Sequence, residues 1–237
     1  MINSVRNTVL AVANKENYGY ITPSDFNLFA KQAQLDIFEE YFYRYNEWIT
    51  KQNARVSGSD YANIVKNLEE VIDKFSSVSG GLTYSVNRFE LPSDYYLINK
   101  VLYSGNKEIE RVSHSKINHL LSSHLTAPTK SFPAYTMIGD SIQVYPMSTE
   151  TQTGIEDNVK CHYIRRPKDP KWTYVSMSGG EPLFDSSASD FQDFELPATD
   201  EPLVVNKILQ YVGISIREGD LYKSALQDEM TEKQKQG

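Results

Sequence analysis

Apolar residues recur at three- and four-residue steps from Phe26 to Trp48. Phe26, Phe29, Ala30, Ala33, Ile37, Tyr41, Tyr45 and Trp48 fall on one side of a helix, with Lys31, Gln34, Glu40 and Arg44 between them. Ahead of this run stands Thr22-Pro23-Ser24-Asp25. Thr22 can cap the free amides, Pro23 suits the first turn with its preset backbone angle, and Asp25 sits at the positive dipole end. The pattern predicts one unusually long helix, near Pro23 to Asn53. Leu28, Phe38, Phe42 and Ile49 widen its apolar stripe beyond what one helix pair needs, so one flank is expected to meet a further surface. Shorter helices over Ser4 to Ala13 and Asp60 to Phe75 complete a small bundle.

After Ser79-Gly80-Gly81 the period changes to two. Leu82, Tyr84 and Val86 alternate with Thr83 and Ser85 as in a half-buried strand. Leu91-Pro92-Ser93-Asp94 reads as a turn before a strand over Tyr95 to Tyr103, which Ser104-Gly105-Asn106 ends. A short helix is expected over Ser113 to Ser123. The clearest hairpin joins Ala134–Ile138 to Ser141–Tyr145 through Gly139-Asp140, and Val159 to Arg165 supplies another strand.

Ser176 to Phe194 is rich in Ser, Gly and Asp, shows no sustained period, and reads as a long exposed loop or arm. Beyond it the helical period resumes, with Leu203, Val204, Ile208, Tyr211 and Val212 on one face and an expected end at Gly213. A last helix is expected from about Glu218. The fold class is therefore α+β: an N-terminal helical bundle with one long helix (1–75), a central antiparallel β region with hairpins (76–175), an arm (176–195), and C-terminal helices packing back on the bundle (196–237), all in one continuous structural unit.

Composition narrows the function. The net charge of -7 argues against a dedicated nucleic-acid binder, and the single cysteine, Cys161, permits neither an intrachain disulfide nor C-x-x-C zinc spacing. No apolar run is long enough to span a membrane and the first residues lack signal-peptide character, so assembly in a cytoplasm is expected. Sixteen tyrosines suit surfaces that bury amphipathic area against a partner, or equally the protein's own helix and strand contacts.

Catalytic constellations are sparse. Gly139-Asp140-Ser141 matches the nucleophile block of one esterase class, but its serine opens a strand and no histidine follows His162 to serve as base. His114, His119 and His124, five residues apart, do not stack on one helix face as zinc ligands would. Cys161 and His162 are adjacent on a strand and face opposite ways. Neither a phosphate loop nor a dinucleotide loop occurs. The expectation is no enzyme, no metal and no cofactor. One basic stretch stands out, Arg165-Arg166-Pro167-Lys168-Asp169-Pro170-Lys171-Trp172, which suits phosphate and bases, an acidic partner, or a proline-stiffened strand exit whose cations are solvated or paired and whose turn Trp172 anchors.

Several segments, taken in order, resemble the head-to-tail adaptor or neck ring proteins of crAss-like and related short-tailed bacteriophages. They are Asn17-Tyr18-Gly19-Tyr20-Ile21-Thr22-Pro23 with the Phe26 to Asn46 helix, Leu91-Pro92-Ser93-Asp94-Tyr95, Phe132 to Pro146, Tyr163 to Trp172, and Leu196 to Ala225. The resemblance implies a virion structural subunit in a ring, of about twelve copies, beneath the portal protein and around the channel by which genomic DNA leaves, with further neck or tail ring proteins as neighbours and no membrane. Under that reading Phe38, Phe42, Tyr45 and Ile49 are the candidate subunit interface, and Leu221, Tyr222, Ala225 and Leu226 the candidate portal anchors. A tail-tube or nozzle subunit built on strand contacts is the alternative, and a DNA-binding accessory protein a third.

Overall fold

A computed structural model describes residues 1–15, 21–53, 64–148, 154–176 and 182–216, with positions 227 and 230. It is α+β, and the chain divides into two compact units, 1–71 with 167–237, and 72–166. The C-terminal helix joins the N-terminal helices as expected, and residues 167–175, expected with the β region, fall in the helical unit.

The helical unit is built on α2 (Pro23–Asn53), whose limits are those the sequence predicts. Its start is held as expected: the Asp25 amide donates to Thr22 Oγ1 at 3.1 Å, and the Phe26 amide to the Thr22 carbonyl at 3.0 Å. Helix α1 (Ile2–Lys15) and α5 (Glu201–Ile216) pack together, and α5 also packs on α2. Helix α5 runs past Gly213, the predicted end, because that glycine is itself buried among Leu209 and Val212 and the helical bonds continue through it. Ile2, Val5, Val9, Phe26, Ala30, Ala33, Ile37, Phe38, Val204, Ile208 and Val212 are buried and form the apolar faces of these helices. The last predicted helix lies outside the described residues except for helical Gln227 and Met230. Helix α3 (Ile64–Asp73) follows α2, and the Tyr45 hydroxyl reaches Glu69 at 3.0 Å.

The β unit holds two sheets. One orders β1 (Ser76–Val78), β9 (Val159–Arg165), β4 (Tyr95–Tyr103) and β5 (Lys107–Glu108). The other orders β2 (Thr83–Ser85), β3 (Arg88–Glu90), β8 (Ser141–Tyr145), β7 (Ala134–Ile138) and β6 (Glu110–Arg111). All pairings are antiparallel except β6 with β7. Val101, Val159, Cys161 and Tyr163 of the first sheet share one core with Phe89, Tyr135, Ile142 and Val144 of the second. On the other side of the second sheet, Ile117 and Leu120 of α4 (His114–Leu121) cover Ala134 and Tyr145. The alternation predicted for β7 and β8 thus serves two cores at once. Val86 departs from expectation: it lies in the two-residue turn between β2 and β3 with φ +47°, beside Asn87 at +61°.

Candidate interaction surfaces

Trp172 anchors the segment that leaves the β unit. Its backbone exchanges two hydrogen bonds with the Asn27 side chain: the Trp172 amide donates to Oδ1 at 2.8 Å, and Nδ2 donates to the Trp172 carbonyl at 3.2 Å. Its indole N–H donates to Asn3 Oδ1 at 3.1 Å, and the Arg6 guanidinium lies 3.8 Å from the ring centroid. Gln34, one turn-pair further along α2 on the same face, is buried. Its Nε2 donates to the Lys168 carbonyl at 2.7 Å and its Oε1 accepts the Glu195 amide at 3.0 Å. One amide therefore holds both ends of the segment 168–195. The sequence reading treated Gln34 as a polar spacer; the available signal was an amide at i+7 from Asn27 on a flank that is otherwise apolar.

That clamp changes the reading of the arm. Between its ends, β10 (Tyr174–Ser176) pairs with β11 (Pro182–Phe184), and Tyr174 and Phe184 stack on Trp172 with ring centroids 5.5 and 5.9 Å away. Gln192 bridges back to Lys171, Asp193 Oδ1 accepts the Ile2 amide at 2.7 Å at the start of α1, and Phe194 and Leu196 are buried. Residues 177–181 of the expected arm lie outside the described residues; on either side of them the chain is a strand pair on a packed base. Its outer face still shows Val175 and Leu183, each 55% exposed.

Of the basic stretch, Arg165 and Arg166 close the β unit, while Lys168, Lys171 and Trp172 belong to the helical unit. Arg165 lies over Phe75 with 6.0 Å to the centroid. Lys171 pairs with Asp190 at 2.5 Å, and Asp169 within the stretch takes Lys31 at 2.7 Å. Lys171 holds the Asp190 carboxyl below its ordinary range. The Lys168 amide donates to Glu195, and its ammonium is exposed. Trp172 is buried, so it is unavailable for stacking on a base. Lys171 is thus paired and Arg165 lies against Phe75, while Arg166 and Lys168 are exposed.

Phe38, one of the four candidate interface residues, is buried within its own unit, edge-to-face against Phe42 at 5.0 Å, and offers nothing to a partner. Phe42 and Tyr45 are half-buried. The side chain of Ile49, and Leu221, Tyr222, Ala225 and Leu226, lie outside the described residues. Among the described side chains of α2, Leu28 and Tyr43 are the exposed large apolar ones.

A second apolar surface, which the sequence reading did not single out, follows α4. Leu125 is 98% and Phe132 83% exposed, with Leu121 beside them in sequence. They are presented by an ordered backbone: the Thr129 and Phe132 amides and carbonyls bond each other at 3.1 Å both ways, and the Ala127 amide reaches the Ser123 carbonyl at 3.0 Å. Their signal was two large apolar residues in a turn-rich stretch without periodic neighbours.

The remaining candidates assemble no reaction centre. Ser141 Oγ donates to the Ile138 carbonyl at 2.8 Å inside its hairpin. His114, His119 and His124 are exposed, and among the described residues no three His, Cys, Asp or Glu side chains come together as metal ligands. Burial pushes the Cys161 thiol up to about 11. No helix among the described residues is long and apolar enough to cross a membrane. No protein-family model matches the chain, and no curated protein matches it significantly.

Proposed function

We propose that the chain is a structural subunit of a phage head-to-tail connector ring, an adaptor beneath the portal that lines the DNA exit channel. The ordered resemblance of its segments suggested the reading, and one observation supports it beyond that: each unit presents large apolar side chains to solvent on an ordered hairpin or turn. Val175 and Leu183 do so in the helical unit, Leu125 and Phe132 in the β unit. A closed ring repeats one heterologous contact, so every subunit needs two different adhesive surfaces. Exposed apolar side chains on fixed backbone are what such a contact buries.

A tail-tube or nozzle subunit remains the second reading. It draws support from the position of Leu125 and Phe132 in the β unit, since that reading relies on the β region for its ring contact. Electron microscopy of the assembled particle distinguishes the two. The adaptor reading expects density for this chain in a ring directly below the portal; density further down the tail favours the second reading, and density in capsid shell or fibres excludes both. Removal of residues 218–237, the proposed portal anchor, is expected to leave a folded chain that no longer pulls down portal protein.

A further inference from the structure

The two exposed apolar surfaces lie in chain segments of opposite formal charge. From Val112 to Gly139 the chain has no Asp or Glu, and holds Lys116, Lys130 and three histidines. From Thr173 to Asn206 it has no Lys, Arg or His, and holds seven acidic residues: Glu181, Asp185, Asp190, Asp193, Glu195, Asp200 and Glu201. The acid-free segment contains the turn that displays Leu125 and Phe132; the base-free segment contains the β10–β11 hairpin that displays Val175 and Leu183. Asp185, at the foot of that hairpin, accepts bonds from the Ser187 amide and hydroxyl at 2.8 and 2.6 Å, which fix it as an anion and hold its carboxyl below the ordinary range.

We propose that these surfaces bind each other between copies, the Leu125–Phe132 turn of one chain seating on the Val175–Leu183 face of the next. The occupant is a second copy because the complement of each surface, in both charge and apolarity, is present on the same chain. Copies with a net charge of -7 repel one another at long range, and a contact that places Lys116 and Lys130 against an acidic hairpin offsets this where the chains meet. The ring reading requires this contact to repeat head-to-tail from copy to copy. The inference deepens the ring reading by naming its interface.

The test is zero-length carbodiimide cross-linking of an equal mixture of isotopically light and heavy protein over a rising concentration series. Mixed-isotope links from Lys116 or Lys130 to Asp185 or Asp190 are expected. Leu125→Ser with Phe132→Ser should cut their yield about tenfold or more, as removal of central apolar anchors does; both side chains are exposed, and circular dichroism checks that the fold persists. Charge reversal at Lys116 and Lys130 to Glu, or at Asp185 to Lys, should each weaken association, read by sedimentation, and mixing the two reversed proteins should restore it. No intermolecular links at the highest concentration, links mapping elsewhere, or association indifferent to these substitutions would overturn the proposal. The ring reading fails separately: a chain absent from the neck of the particle that still forms this contact refutes the placement alone, and a chain in the neck whose links map elsewhere refutes the contact alone.

Discussion

The Tyr41 hydroxyl donates to the Asp200 carboxylate, tying the middle of α2 to the start of α5, and the Tyr211 hydroxyl of α5 donates in return to Asp36 of α2. Burial, then the Asp200 bond and charge, push the Tyr41 phenol far above its ordinary value. A phenol raised in the folded state stabilises the fold fully below its unfolded value of about 10, and that contribution is lost as pH rises beyond it. Thermal midpoints are therefore expected to fall above about pH 10. Tyr41→Phe should cost about 1–2 kcal/mol at neutral pH through the lost bond to a charged acceptor. It should also make the alkaline fall shallower without abolishing it, because burial raises Tyr135 and Tyr163 as well. Melting curves of both proteins across neutral to alkaline pH check this, and an unchanged alkaline limb would show that Tyr41 does not carry it.

Gln34 shows what the sequence conceals. Replacing it with Leu, close in size, keeps the helix and the volume but strips partners from the Lys168 carbonyl and the Glu195 amide together. A loss of about 2–4 kcal/mol is expected, the sum of two unsatisfied backbone groups. Faster backbone hydrogen exchange should be confined at first to 168–195. Uniform destabilisation without that local signature would mean the clamp is not what holds the segment.

The parts of this fold that follow from local periodicity were legible. The limits of α2 rest on Thr22 and a regular apolar step, and those of β4, β7, β8 and β9 on alternation bounded by turn residues. What escaped depends on partners far away in the chain. The stretch from Ser176 to Phe194 has no period because its order comes from Gln34, Trp172 and α1, not from its own faces. The closure of the β unit on itself was hidden for the same reason: β1 pairs with β9, over eighty residues later. The candidate interface was legible only in part: of the over-wide stripe on α2, Phe38 is absorbed by packing and Leu28 stays exposed, while Leu125 and Phe132 sit in non-periodic turns.

Val86 is a position where the chain can be improved. A β-branched residue at φ +47° is sterically opposed, and the two-residue turn with both φ values positive favours Asn and Gly. The side chain is 89% exposed, so nothing is lost by removing it. Val86→Asn is expected to stabilise the β unit by about 1 kcal/mol, seen as a higher denaturant midpoint with unchanged slope. A lower midpoint would indicate that Val86 makes a contact in the folded chain.

The basic stretch decides whether DNA contact belongs to the function. Each phosphate neutralised adds about 0.9 to the slope of affinity against salt on logarithmic axes, so several free cations on one surface give a steep dependence. Here Lys171 is engaged by Asp190, Asp169 adds an anion that Lys31 only balances, Arg165 lies against Phe75 and the aromatic ring that would stack on a base is buried, so that Arg166 and Lys168 alone of the stretch's cations are exposed without an ion pair shown. Changing Arg165, Arg166 and Lys171 together to Ser is therefore expected to leave any affinity for duplex DNA, and its shallow salt slope, unaltered within error. The same change should lower stability only slightly, because the Lys171–Asp190 pair is exposed to solvent. Filter binding at stepped salt reads the first and denaturant unfolding the second. A steep slope that the triple substitution flattens would instead make the strand exit a phosphate-binding surface.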